Sequence, residues 1–212
     1  MSGPRSPGRY DVLAVASSAG GIHALRTLLG ALGPDLPVPV LVVQHLDRRH
    51  PTMLAEILAR VTTLVVKLAD DAEYAVAGTV YLAPPDRHLL VGPHGRLTLS
   101  TSERVHFSRP SADPLFESVA QVYKQHAIAC VLTGTGSDGA VGVAAVKSQG
   151  GTTIAQDPRT AQRAGMPQAA VATGVVDLVL PLEEIGAVIR GLVQTRTDTW
   201  PIDTVPAVRA AS

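Results

Sequence analysis

Apolar and polar positions alternate along this chain in blocks of two lengths. Strand-sized runs of Val, Ile, Leu and Ala recur at 11–16, 38–44, 127–132 and 152–155. Between them, apolar residues recur at helical spacing. Leu25, Leu28 and Leu29 share one face, and Met53, Leu54, Ile57 and Leu58 another, with Pro51 opening that helix. Leu115, Phe116, Val119, Val122 and Tyr123 mark a third helix, and Val141, Val143, Ala144, Ala145 and Val146 a fourth that stops at Gly150-Gly151. A closing helix over 182–193 turns Ile185, Val188, Ile189 and Leu192 inward. Unbroken apolar strands are buried on both faces, and their alternation with helices predicts an α/β protein with a largely parallel sheet and right-handed crossovers.

Two regions break the rhythm. Short strand candidates at 64–68, 78–82, 88–91 and 96–99 are separated by acidic, Pro-rich and Gly-rich turns. That spacing predicts hairpins or an edge addition rather than another β–α unit. After the strand at 152–155, a polar loop runs through Gln156, Asp157 and Pro158 to Met166-Pro167, followed by a strand candidate over 174–180. The expected organisation is one domain over 10–193, with flexible flanks at 1–9 and 194–212. The 212 residues suffice for one substantial core.

Composition narrows the function. A formal net charge of zero gives no electrostatic footprint for nucleic acid. A single cysteine excludes an intrachain disulfide and fits a reducing, cytoplasmic setting. Cys130, among Ala, Ile and Val, reads as a buried inert thiol. No apolar run approaches a membrane span, and residues 1–9 lack the apolar core of a signal peptide. The seven histidines show no zinc pattern.

The chemistry gathers where strands end. Strand 11–16 runs into Ser17-Ser18-Ala19-Gly20-Gly21, a tight turn into a helix. Such a turn cradles a phosphate or presents a nucleophilic serine beside backbone N–H groups. The dinucleotide fingerprint fails at two of its three glycines, since Ala16 and Ser18 replace them, and the nucleophile elbow lacks its first glycine. Ser17 or Ser18 could instead simply cap the helix. The strand at 38–44 ends at His45, and the strand at 127–132 leads through Thr133-Gly134-Thr135-Gly136-Ser137-Asp138-Gly139. In a parallel sheet these ends share one rim. A hydroxyl, an imidazole and a carboxylate meeting there are what acyl transfer requires. Taken singly, His45 reads as a strand-end histidine and Asp138 as a helix cap.

Six stretches in order make the chain resemble the catalytic domain of the CheB family, the chemoreceptor protein-glutamate methylesterases. They are 16–21, Val43-Gln44-His45, Val80-Tyr81-Leu82-Ala83-Pro84, Arg109-Pro110-Ser111-Ala112-Asp113, 132–140, and 153–157 with Gly165-Met166-Pro167. The resemblance implies a doubly wound, mostly parallel, Rossmann-like three-layer sandwich with an antiparallel hairpin or edge addition. It carries the nucleophile to Ser18 rather than Ser17, the general base to His45 and the orienting carboxylate to Asp138. It points to the backbone N–H groups of Ala19 and Thr135 as oxyanion donors, and places Met166, a substrate-contact candidate or part of an ordinary turn with Pro167, near the active rim. Arg109 is a contact candidate for an acidic receptor surface or a plain loop charge. The implied partners are methylated chemoreceptor cytoplasmic helices, whose glutamate γ-methyl esters are hydrolysed to release methanol. The family also deamidates receptor glutamines. No metal or organic cofactor is implied.

The departures concern substrate more than chemistry. Ala19 replaces the family's Thr, Thr135 its common Met and Ser108 a common His, and Leu46-Asp47-Arg48-Arg49-His50 replaces its usual loop after the histidine. The chain begins about ten residues before the first strand, so regulation by an attached receiver domain is not expected. An esterase or amidase with a non-receptor substrate, and a binding module that has lost the chemistry, stand as alternatives. A nucleotide-binding protein is a distant one.

Overall fold

The computed structural model describes residues 10–45 and 52–194. The expectations for 1–9, for the loop 46–50, for Pro51 and for the tail beyond Gln194 lie outside them. Among the described residues the chain runs β1 (Val12–Ser17), α1 (Gly21–Leu32), β2 (Val40–Gln44), α2 (Leu54–Ala59), β3 (Val65–Leu68), β4 (Thr79–Leu82), β5 (His88–Val91) and β6 (Leu97–Ser100). It continues with α3 (Ala112–Tyr123), β7 (Ala127–Val131), α4 (Ala140–Ser148), β8 (Thr152–Gln156), α5 (Gly165–Ala172), β9 (Leu178–Leu180) and α6 (Leu182–Gln194).

Seven strands form one sheet in the order β3-β4-β2-β1-β7-β8-β9, and every neighbouring pair is parallel. The period-two alternation of each strand divides its side chains between two cores. Leu13, Val15, Val40, Val42, Ile128, Cys130 and Ile154 face one core, with α1 and α6. Ala14, Ala16, Leu41, Val43, Ala129, Val131 and Ala155 face the other, with α3, α4 and α5. Alanines dominate the second set in the central strands, which leaves room for Phe116 on α3, fully buried there. The three layers are those expected.

The middle region contains both expected alternatives, a hairpin and an edge addition to the sheet. β5 and β6 do form an antiparallel hairpin, but as a separate two-stranded sheet. β3 and β4 are not hairpin strands; both extend the parallel sheet beyond β2. Segment 69–78 between them runs beside β6 instead, where Ala72 N–H donates to Leu97 O, Leu97 N–H to Glu73 O and Ala75 N–H to Gly95 O. Met166-Pro167, the expected end of the polar loop, instead lie in the first turn of helix α5. Proline is tolerated there because the first N–H groups of a helix need no intrahelical acceptor. Met53 and Val141, expected inward, are 59% and 57% exposed. Met53 precedes α2, and Thr52 Oγ1 accepts the Leu54 N–H instead. Among the described residues, no helix is long and apolar enough to cross a membrane.

β1 and β7 are neighbours, yet α1 leaves β1 over one face and α4 leaves β7 over the other. This is a topological switch point, where the two turns splay apart and leave a crevice at the strand ends. Deleting the Phe116 ring beneath it, by Phe116→Ala, will cost about 3–5 kcal/mol of stability. Urea unfolding of the two proteins checks this.

Candidate active site

The parallel ladder carries its residues to the rim. Leu132 N–H donates to Ala16 O, Ser18 N–H to Thr133 O and His45 N–H to Ser17 O, all at 2.9–3.1 Å. The ends of β1, β2 and β7 are therefore pinned at one level. Ser18, His45 and Asp138 meet there. His45 Nδ1 lies 3.0 Å from Ser18 Oγ, and His45 Nε2 lies 2.7 Å from Asp138 Oδ2. An ionised carboxylate only accepts, so Nε2 carries the ring proton and Nδ1 turns its lone pair to the Ser18 hydroxyl. The ring nitrogens thus exchange the places they hold in the chymotrypsin-type arrangement.

Asp138 is 1% exposed and accepts from three further donors. Ser111 Oγ donates at 2.6 Å and the Asp113 N–H at 3.1 Å to Oδ1, and the Ala112 N–H donates at 2.7 Å to Oδ2. The carboxylate thus caps the N-terminus of α3, where negative charge is favoured. The capping role expected for Asp138 on its own helix falls to Gly139. Burial alone would raise the Asp138 pKa, but the bonds from His45, Ser111 and Ala112 outweigh it and hold the carboxyl below the usual range. Asp113, 3% exposed, differs. Burial pushes its pKa up and the Asp138 charge adds to this, against the bonds it accepts from the Gly142 N–H and from His106 Nε2.

The serine turn is held by side chains whose part the motif did not disclose. Ser17 is buried and donates through Oγ to Gln44 Oε1 at 2.7 Å. Gln44 Nε2 donates to Ser18 O and His45 O at 2.9 and 3.0 Å. Neither serine caps α1; its N-cap is Gly20, at φ +82°. Gly21 must be glycine, since a Cβ there would meet Gln44 Oε1 at 2.0 Å. Thr133 Oγ1 donates to Ala19 O at 3.0 Å and holds the Ala19–Gly20 peptide, while the Gln44 bond to Ser18 O holds the peptide that carries the Ala19 N–H. Among the described residues, the Ala19 and Thr135 N–H groups have no protein acceptor. Met166 is fully buried, and its N–H donates to Gly134 O. A Cβ on Gly134 would strike both Met166 Sδ and Ser18 Cβ, so Met166 forms the floor beneath the serine. Gln44 and Thr133 were legible only as polar residues at strand ends, and Ser111 as one in the loop before α3; the matching stretches contain them without disclosing their parts.

Arg109 belongs elsewhere. Its Nε and Nη2 donate to Asp86 Oδ1, and its Nη1 to Thr101 O and Ser102 O at 2.7 and 2.8 Å. This guanidinium ties the hairpin to the loop before α3 and is not free for substrate. Cys130 is fully buried, and burial pushes its thiol up to about 12. Among the described residues, His106, Asp113 and Asp138 have ligand-type atoms within 4.8 Å of one another. Their oxygens already accept protein N–H and O–H groups, which makes this a hydrogen-bonded network rather than an open coordination shell.

The fold and rim define a doubly wound α/β protein with a serine-hydrolase constellation at its switch point. The chain belongs to the CheB methylesterase family, whose model matches residues 13–189. It is similar to the crystal structure of the Thermotoga maritima CheB methylesterase catalytic domain, with TM-score 0.83 and 36% identity over 87% of this chain and 99% of that one. A Leptospira interrogans relative with methylesterase and glutaminase in its name is 41% identical over 83% of this chain and 91% of its own. The Rhizobium meliloti protein-glutamate methylesterase/protein-glutamine glutaminase of group 3 operon is 40% identical over 88% of this chain. This chain covers 53% of that protein's length.

The depressed Asp138 pKa fixes a sign. Between the ordinary carboxylate value, about 3.9, and the lower folded value, the unfolded chain binds the proton and the folded chain does not. The Asp138 contribution to stability is therefore full above that ordinary value and lost as pH falls through the folded one. Asp138→Asn will be less stable than wild type at pH 7, and the gap will narrow at pH 3. Urea midpoints at the two pH values measure it.

Proposed function

We propose that this chain is a cytoplasmic protein-glutamate methylesterase that also acts as a protein-glutamine glutaminase, with residues 10–193 as its catalytic unit. The observation that carries the reading is the Ser18–His45–Asp138 line, 3.0 and 2.7 Å between successive members, at the switch point of a CheB-family sheet. The substrates are the γ-methyl esters of chemoreceptor helices.

The proposed course uses atoms already in place. Ser18 Oγ attacks the γ-carbonyl carbon as its proton passes to His45 Nδ1. Asp138 holds the imidazolium through Nε2–H. The carbonyl oxygen becomes an oxyanion facing the N–H groups of Ala19 and Thr135, which have no acceptor among the described residues. These are backbone donors, so Ala19 and Thr135 serve despite the side chains that differ from the family's. Collapse of the tetrahedral intermediate breaks the C–O bond to the methyl group, and His45 returns the proton to release methanol. Water then attacks the acyl-serine, with Nδ1 again as base, and frees the glutamate. With a glutamine substrate, ammonia leaves in place of methanol.

Methanol release from methylated receptor membranes tests this. Wild type releases it, and Ser18→Ala falls to a residual of at most ~10³–10⁴ over the uncatalysed rate. Near-normal turnover by Ser18→Ala would overturn the nucleophile assignment.

A further inference from the structure

One wall of the crevice carries a charge that the chemistry of Ser18 does not use. The cleft beside the serine, about 670 Å³, is lined on the α1 side by Ile22, His23 and Arg26. Among the described residues no carboxylate lines it. Asp138 is buried behind His45 and committed to its four donors. Arg26 is exposed, and among the described residues its guanidinium takes part in no hydrogen bond or ion pair. Elsewhere in the chain, Arg109 pairs with Asp86, Arg159 with Asp157 and Lys67 with Asp70 and Glu73. The acyl chemistry places no demand on Arg26, since the ester is neutral and backbone N–H groups face the oxyanion.

We propose that Arg26 is a specificity residue that selects esters lying one helical turn from a carboxylate. This inference rests on the methylesterase reading. Gly21, where α1 begins beside the serine, and Arg26 are five residues apart, about 7.5 Å along the axis. Helical side chains lean toward the N-terminus, so the guanidinium reaches back toward Ser18. That lean shortens the axial offset of about 7.5 Å toward a single helical turn, about 5.4 Å. On a substrate helix, residues three or four apart lie about 5–6 Å from each other. A glutamate at that spacing from the esterified residue meets Arg26 while the ester meets Ser18. Ile22, 42% exposed and four residues before Arg26 on the same face of α1, offers an apolar step between them for the methylene stems.

The chemistry then orders its own products. Hydrolysis turns a neutral ester into a carboxylate. Each carboxylate formed supplies the group that Arg26 selects for an ester one turn away, so demethylation of one site favours demethylation of the next.

The test uses methylated receptor cytoplasmic fragments with a single esterified glutamate and either Glu or Gln four residues from it. Wild type hydrolyses the Glu-flanked ester with kcat/KM about three- to tenfold higher, and the preference shrinks in 1 M salt, as for exposed charges. Arg26→Gln brings the ratio to about one, Arg26→Glu inverts it, and Arg26→Lys keeps it above one. A wild-type ratio of one, or a preference retained in Arg26→Gln, would overturn the proposal while leaving the methylesterase reading intact. Absence of methanol from both fragments with wild type would overturn the methylesterase reading itself.

Discussion

The site depends on one buried carboxylate. Asp138 comes from the turn after β7, holds His45 from the end of β2, and caps α3, which returns from the hairpin region. Three segments distant in sequence are thereby fixed to one group. A buried charge is tolerated only when it is fully paired and hydrogen-bonded, and Asp138 meets that condition with four donors. Each donor has its place because the sheet and α3 are packed, so the ionised state of Asp138 and the assembly of the rim stand or fall together. His88 adds to the frame: it is fully buried, accepts the Ser111 N–H at Nδ1 and donates through Nε2 to Glu103 O.

The second constraint is space. Ser18 stands on a turn that closes only because side chains are missing where backbone must approach. Gly21 leaves room for the Gln44 amide, and Gly134 leaves room for Met166 on one side and Ser18 on the other. With the amide of Gln44 and the hydroxyl of Thr133 holding the neighbouring carbonyls, the Ala19 and Thr135 N–H groups are left over, with no acceptor among the described residues. The same interactions that tighten the turn create the unpaired donors an oxyanion needs. Preorganisation of this kind spares the reaction the cost of aligning those dipoles.

Much of the fold was legible in the sequence because it follows from local periodicity. β1, β2, β7 and β8 are continuous apolar runs, and α1, α3 and α6 bear clear apolar faces. The elements left open or misread are those whose pattern is weak or shared. β3 and β4 are short and flanked by turn residues, which fits a hairpin strand as well as a sheet strand; their partner is decided by β2 and by segment 69–78 pairing with β6. α5 lacks a strong apolar stripe, and its Gly165-Met166-Pro167 start reads as a turn until the rest of the helix is packed against the sheet.

The sequence by itself determined the strand and helix alternation and hence the parallel sheet, its carboxyl edge, and the three residue types that reach it. Those follow from spacing along the chain. Only the tertiary structure decided which nitrogen of His45 faces the serine, that Asp138 caps α3 rather than its own helix, that Arg109 clamps the fold, and that Arg26 stands in the cleft without a partner among the described residues. Each of these turns on a partner tens of residues away or on the lack of one. Periodicity says which face a side chain occupies; the folded chain decides what meets it there.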